Sequence, residues 1–185
     1  IPMSLRNTYK DQAIIKESLS TNVCYFNQNA EIGGKKLFAI KEVRQALSMV
    51  IDREALANEI VFAKAATGLV PTGVFDTNSK GTLFRDKSDN NFKYLTKDIE
   101  GAKALLKNAG INPADYSFKL TVAAYDEVHN FIANAIVEAW NALGFNVELN
   151  VRGTIKNNDY YKYTDSVPED ICDDLYAEDF RNGVY

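Results

Sequence analysis

Cysteine, histidine and proline are all scarce in this chain: its 185 residues include two cysteines, one histidine and four prolines. The two thiols, Cys24 and Cys172, fit no metal-ligand spacing and make no disulfide framework, although a bond between them stays open at this point. A single histidine excludes a His-rich metal site and any mechanism that needs two imidazoles. No apolar run approaches the roughly 18 residues that a membrane-spanning helix needs. The opening Ile1-Pro2-Met3-Ser4-Leu5 lacks the charged-then-apolar order of a secretory signal. That would ordinarily suggest cytoplasm, unless the chain is a piece of something longer. No G-x-S-x-G elbow, Walker loop or G-x-G-x-x-G fingerprint occurs. Neither charge sign dominates: 21 Lys and Arg against 25 Asp and Glu leave −4. Nucleic acid and anionic membranes are therefore poor candidates for the main partner.

What is present is an ordinary globular composition, 46% hydrophobic, 25% charged and 11% aromatic. A chain of this length buries about 70% of its unfolded surface and needs no staples. Residues 1–20 show no clear period. Val23-Cys24-Tyr25-Phe26 reads as a short buried strand, followed by the polar Asn27-Gln28-Asn29. Gly33-Gly34-Lys35-Lys36 is a turn, without the spacing of a phosphate loop. Val43, Ala46, Leu47, Val50 and Ile51 then recur at helical steps. Asp52 caps a second helical segment bearing Leu56, Ile60 and Val61. Residues 67–92, with Gly68, Pro71, Gly73 and Gly81, read as a long irregular loop. Thr96 or Asp98 opens a helix carrying Ile99, Ala102, Leu105 and Leu106, and Gly110 sits at its left-handed cap.

The second half has the clearest pattern. Phe118, Leu120 and Val122 alternate with Lys119, Thr121 and Ala123 as a strand. Val128, Ile132, Ile136, Ala139, Trp140 and Leu143 form a helical stripe that Gly144 stops. Phe145, Val147, Leu149 and Val151 alternate again. Strand, helix and strand make a βαβ unit with a right-handed crossover. Residues 168–180 read as a last helix, its acids Glu169, Asp170, Asp173 and Asp174 near the N-terminal end. Those acids do not match a twelve-residue calcium loop. Val184-Tyr185 reads as the start of a further strand, so the sequence is expected to be one lobe of a longer chain.

In an α/β fold ligands bind beyond the carboxyl ends of the strands. His129 falls in the first turn of the 128–143 helix, after the linker Tyr125-Asp126-Glu127. Tyr25, Asn27 and Gln28 close another expected strand, and Arg152 follows the strand 145–151. An exposed first-turn histidine, a core tyrosine and surface polar groups are the plain alternatives.

Segments in the same chain order resemble the family 5 extracellular solute-binding proteins, the peptide- and nickel-binding receptors of ABC importers. Phe38-Ala39-Ile40-Lys41-Glu42-Val43-Arg44-Gln45-Ala46-Leu47-Ser48, with Ile51-Asp52-Arg53 following, resembles the family signature. Gly68-Leu69-Val70-Pro71-Thr72-Gly73 is similar to its G-x-V-P-x-G loop, and Ala102 to Gly110 to its A-x-x-L-L-x-x-A-G helix. Trp140-Asn141-Ala142-Leu143-Gly144-Phe145 is similar to its helix–L-G-I–strand. The resemblance covers roughly residues 20–153 well. It implies an α/β, periplasmic-binding-protein-like lobe, with a mixed or parallel sheet flanked by helices, spanning residues 1–185 of a two-lobe receptor. It implies an exported protein, a surface lipoprotein or a periplasmic one, that is not an enzyme. No cofactor and no metal are expected. The implied partners are a peptide or other small solute (a sugar, a nickel chelate or a signalling peptide), the first lobe of the same chain and an ABC permease, the lobe itself being monomeric. The site residues are then Tyr25, Asn27, Gln28, Tyr125, Asp126, His129, Arg152 and Arg181. Of these, His129 matches a ligand-approaching histidine of peptide-binding relatives, and Arg181 matches a basic cleft position loosely. The tyrosine-rich stretch 156–168 departs from the family pattern.

Overall fold

The computed structural model describes residues 1–15, 19–77, 81–85, 93–124, 126–152 and the backbone of 171–172. Three parallel strands form one sheet in the order β2-β1-β3. They are β1 (Ser117–Ala123), β2 (Asn146–Arg152) and β3 (Ile171–Cys172). Between β1 and β2 runs α5 (Glu127–Leu143), completing the expected βαβ unit. Asp126 caps α5 by accepting from the His129 N–H at 2.9 Å. Gly144 ends it at φ 110, which relieves the Cβ clash any other residue would suffer there.

Phe118, Leu120 and Val122 of β1 pair with Val147, Leu149 and Val151 of β2 on one sheet face. Trp140 of α5 is fully buried against that face, with its ring centroid 5.8 Å from Phe118. The opposite face is polar rung by rung. Asn146 Nδ2 donates to Ser117 Oγ at 2.9 Å, Lys119 pairs with Glu148 at 3.3 Å, and Asn150 Nδ2 donates to Thr121 Oγ1 at 3.1 Å.

Before the sheet come α1 (Met3–Tyr9), α2 (Lys41–Met49), α3 (Arg53–Ile60) and α4 (Ile99–Asn108). The apolar stripe of α2 (Val43, Ala46, Leu47) is wholly buried. It joins Phe38, Leu106 and Trp140 in the main core. The Asp98 N–H donates to Met49 O at 2.8 Å, tying the start of α4 to the end of α2. Asp98 also caps α4 on the Gly101 N–H. A Cβ at Gly101 would run first into the capping carboxylate of Asp98 and then meet the flexible tip of Met49 at 2.7 Å, so a larger residue there would disturb the cap. Gly110 has the expected left-handed conformation, and Ile111 N–H reaches back to Leu106 O at 2.9 Å.

Several elements differ from the sequence expectation. Residues 23–26 are irregular and join no ladder. Their apolar run is used instead to insert Phe26 between Phe38 and Trp140, at centroid distances of 5.1 and 5.8 Å. Residues 171–172 are the edge strand β3, paired with Lys119 and Leu120, where a helix over 168–180 was expected. The open edge of β1 offers a ladder, and that tertiary opportunity outweighs the dipole argument drawn from local acids. The rest of 168–180 and residues 184–185 lie outside the described residues. The first twenty residues, without a clear period in sequence, hold α1 and a 3-10 turn at Lys10–Gln12.

Helix α1 is held from outside. Arg6 Nη1 donates to Ile60 O at 3.1 Å, and its guanidinium lies 5.8 Å from the Phe62 ring centre. The cation thus meets the last carbonyls of α3, where the helix dipole favours it. Val61 does not continue α3. At φ 70 and ψ −49, with Phe62 N–H bonded to Ile60 O at 2.9 Å, it forms a γ-turn that strains a β-branched residue.

Asp52 accepts from the Ala55 N–H at 3.0 Å and pairs with Lys97 at 3.0 Å. These contacts, the backbone bond first, hold its carboxyl below the ordinary 3.8. A depressed folded value means the cap stabilises above pH 4 and is lost as the pH falls through the folded value. Two-dimensional NMR titration should find Asp52 titrating below the unfolded-chain aspartates, and Lys97→Ala should move it back up.

Candidate functional site

The carboxyl ends of β1 and β2 meet the first turn of α5. Ala124 N–H donates to Arg152 O at 2.7 Å, carrying the ladder one step past β1. Asn130 Nδ2 donates to Ala123 O at 2.8 Å and to Asp126 O at 2.7 Å, fixing the turn that leads into the helix. Within this frame Asp126 and His129 are neighbours one turn apart. Asp126 Oδ1 takes the His129 backbone N–H, while Oδ2 lies 3.3 Å from the ring Nδ1. The other ring nitrogen, Nε2, lies 3.0 Å from Asn22 Oδ1. The imidazole side chain is only 20% exposed and is held on both sides. Met3 N–H donates to Glu127 Oε2 at 3.0 Å, so α1 docks on the same turn.

Helix N-termini favour anions. The anion in place is the protein's own Asp126. The outer nitrogen of His129 faces an amide, not a hydroxyl or thiol, so the Asp–His pair is not part of a nucleophilic triad. Among the described residues no group of three or more His, Cys, Asp and Glu side chains comes together to hold a metal ion. No helix among them is long and apolar enough to cross a membrane.

Of the residues expected at the site, the structure brings Asp126 and His129 into direct contact and places Arg152, half-buried, at the adjoining strand end. Tyr25 is half-buried in the irregular segment that also carries Asn22. Asn27 turns inward on its own loop, accepting from the Asn29 N–H at 3.0 Å, and Gln28 is exposed. Tyr125 and Arg181 lie outside the described residues. Asn22 is the contact that sequence reading missed. It sits among Ser20 and Thr21 with nothing to distinguish it, and its partner is 107 positions away.

Two open hollows lie elsewhere. One of about 400 Å³ is lined by Ile1, Pro2, Leu5, Tyr9, Gln12 and Ala13. The other, about 300 Å³, lies along α2 between Lys41, Arg44 and Tyr94. Neither contains an expected site residue.

Comparison with known proteins gives the family and the fold. The family described as bacterial extracellular solute-binding proteins, family 5 middle, matches residues 2–169. No curated protein matches the sequence. Among solved structures, the substrate-binding domain of an oligopeptide ABC transporter from Bacillus anthracis is similar at TM-score 0.62 and 19% identity, covering 86% of this chain and 31% of that one. The oligopeptide-binding protein AppA of Bacillus subtilis, solved with a nonapeptide, is similar at TM-score 0.57 and 19% identity, covering 89% and 32%. NikZ of Campylobacter jejuni, solved with Ni(L-His), is similar at TM-score 0.57 and 17% identity, covering 86% and 32%. The chain thus spans about a third of the length of these structures.

Proposed function

Because the chain belongs to family 5 of the bacterial extracellular solute-binding proteins, a family of binders and not of enzymes, we propose that it is a solute-contacting lobe of a peptide receptor feeding an ABC permease. The observation that carries this reading is the Asp126–His129–Asn22 cluster at the carboxyl end of the parallel sheet. It is polar, fixed in position and free of a nucleophile, which suits recognition and not turnover. Peptide receptors in general rely on main-chain pairing within a polar shell. Arg152 stands beside the cluster as a further contact. The working location is outside the cytoplasmic membrane, in a periplasm or on a lipid-anchored surface protein, with the first lobe closing over the solute.

A nickel chelate is the second reading, favoured by the likeness to NikZ. The only histidine in the chain already has both ring nitrogens engaged by Asp126 and Asn22, so direct metal ligation from this lobe is disfavoured.

The test is an NMR titration of the chain with trialanine. With a large share of any enclosing cleft absent, ordering costs remain while contacts are lost, and a Kd of about 1 mM or weaker is expected. Shifts should centre on His129, Asp126 and Arg152, and His129→Ala should weaken binding about fivefold. Submicromolar binding, or shifts confined to another surface, would overturn the reading.

A further inference from the structure

We propose that α1 and the turn at Val61 form a two-state latch. In one state α1 is docked and Val61 is held in its left-handed turn. In the other α1 is released and Val61 relaxes to a negative φ. The latch is independent of which solute the lobe contacts.

The first support is how lightly α1 is attached. None of its residues is buried. Only Met3 and Arg6 are half-buried, and at three positions apart they share one face of the helix. Each ties α1 to the rest of the fold by one hydrogen bond. The Met3 N–H donates to Glu127 Oε2 at 3.0 Å, and Arg6 Nη1 donates to Ile60 O at 3.1 Å. Leu5 and Tyr9, the apolar side chains that could add packing, are 44% and 45% exposed. A segment with so few buried contacts opens on its own, without the core.

The second support is the strain at the receiving end. Val61 is the one non-glycine residue with positive φ among the described residues, and it is β-branched. Its N–H still bonds Ala57 O at 3.1 Å, so α3 is regular up to that amide and departs only at the dihedrals of Val61 itself. The departure puts the Phe62 N–H on Ile60 O at 2.9 Å and the Phe62 ring centre 5.8 Å from the Arg6 guanidinium. Both groups that Arg6 meets, the Ile60 carbonyl and the Phe62 ring, therefore flank Val61, and their relative placement is set by its turn. Docked α1 gains those contacts only while Val61 is strained, and each state thus carries its own differential contacts. The third support is the far end of the helix. Glu127 follows the capping Asp126, so release of α1 frees an acid in the first turn of α5. The latch joins the end of α3 to the turn that carries Asp126 and His129.

The experiment is NMR on the full chain and three variants, Arg6→Ala, Val61→Gly and Val61→Asn. Scalar couplings report the sign of φ at Val61, amide exchange reports the opening of α1, the Glu127 carboxyl resonance reports its contact, and the Trp140 Nε1–H resonance serves as a core control. In Arg6→Ala, φ at Val61 should turn negative, α1 should exchange about tenfold faster, the loss expected for one charged hydrogen bond, and the Glu127 carboxyl should shift. The Trp140 resonance should stay in place. Glycine and asparagine both tolerate the left-handed region, so in Val61→Gly and Val61→Asn the docked state is no longer opposed by strain. Exchange of α1 should then slow about threefold. Val61 keeping its positive φ in Arg6→Ala overturns the proposal, because the turn would then belong to α3 and the core alone. A displaced Trp140 resonance in Arg6→Ala also overturns it, since α1 would open only with the core. Exchange of α1 that is unchanged or faster in both Val61 variants overturns it as well.

Discussion

Trp140→Ala is expected to lower the stability of the chain by about 4 kcal/mol, the range seen when a fully buried aromatic is truncated. Trp140 has no exposed surface and touches Phe26 and Phe118, each at 5.8 Å between ring centres. Its Nε1–H donates to Leu47 O at 2.9 Å. That carbonyl belongs to the last turn of α2 and has no acceptor role within the helix, so the indole supplies its missing donor. Three parts of the fold therefore meet on one side chain: the irregular segment 21–28, the helix α2 and the sheet. Denaturant unfolding should show the loss, together with a fall in Tm of roughly 12 °C. Trp140→Phe separates the contributions, because it keeps most of the packing and abandons the hydrogen bond. A cost of about 2 kcal/mol is expected for it. If the alanine variant cost less than about 1 kcal/mol, the indole would not be the junction of the core. Because Phe26 lies on the same segment as Asn22, Trp140→Ala should also loosen the Asn22–His129 contact.

Arg53→Ala is the second large effect, expected near 3 kcal/mol. The guanidinium is largely buried between α2, α3 and the turn at Lys93–Leu95. Nη1 donates to Ser48 O at 2.9 Å, Leu95 O at 3.0 Å and, more distantly, Ile51 O at 3.4 Å. Nη2 donates to Ser48 Oγ at 2.9 Å, and that hydroxyl in turn donates to Tyr94 O at 2.8 Å. Burial pushes the Arg53 pKa down, yet a guanidinium remains charged throughout the working range. Stability should therefore carry no pH signature from this residue. Removal strands several carbonyls at once, and Arg53→Lys should recover less than half, since one ammonium cannot spread the same fork. Chemical denaturation of the two variants side by side is the measurement. Full recovery by lysine would show that charge, not the fork, is what the site needs.

The two examples also show why some of this architecture is legible in sequence and some is not. Helices α2 and α5 bury one face and strands β1 and β2 alternate apolar with polar residues, so the period of 3.6 or 2 is written along the chain. Asp52, Asp98 and Gly144 act within one turn of themselves, and their short-range chemistry is readable too. Phe26 is different. The run 23–26 has the composition of a strand, but the core needed a ring between Phe38 and Trp140 more than it needed a ladder. For residues 171–172 a local charge argument pointed to helix, while the deciding fact, a free edge on β1, lies some fifty residues earlier. At the site the same division holds. Asp126 and His129 are one helical turn apart and were foreseeable as a pair. Asn22 reaches them only through the docking of an irregular segment, and no periodicity announces that.

The polar rungs of the sheet have a consequence for how the strands find their alignment. On the apolar face, Phe118, Leu120 and Val122 oppose Val147, Leu149 and Val151, the last of them exposed. A slide of β2 by two residues would set apolar against apolar again, and the core would scarcely discriminate. The polar rungs do discriminate. Such a slide sets Lys119 against an asparagine, strands Glu148 beside Ser117 or Thr121, and breaks the amide–hydroxyl matches of Asn146 with Ser117 and Asn150 with Thr121. The three rungs work as a vernier scale, each weak alone and in step at a single offset. The apolar face supplies the adhesion, and the polar one sets the position at which His129 and Arg152 arrive together.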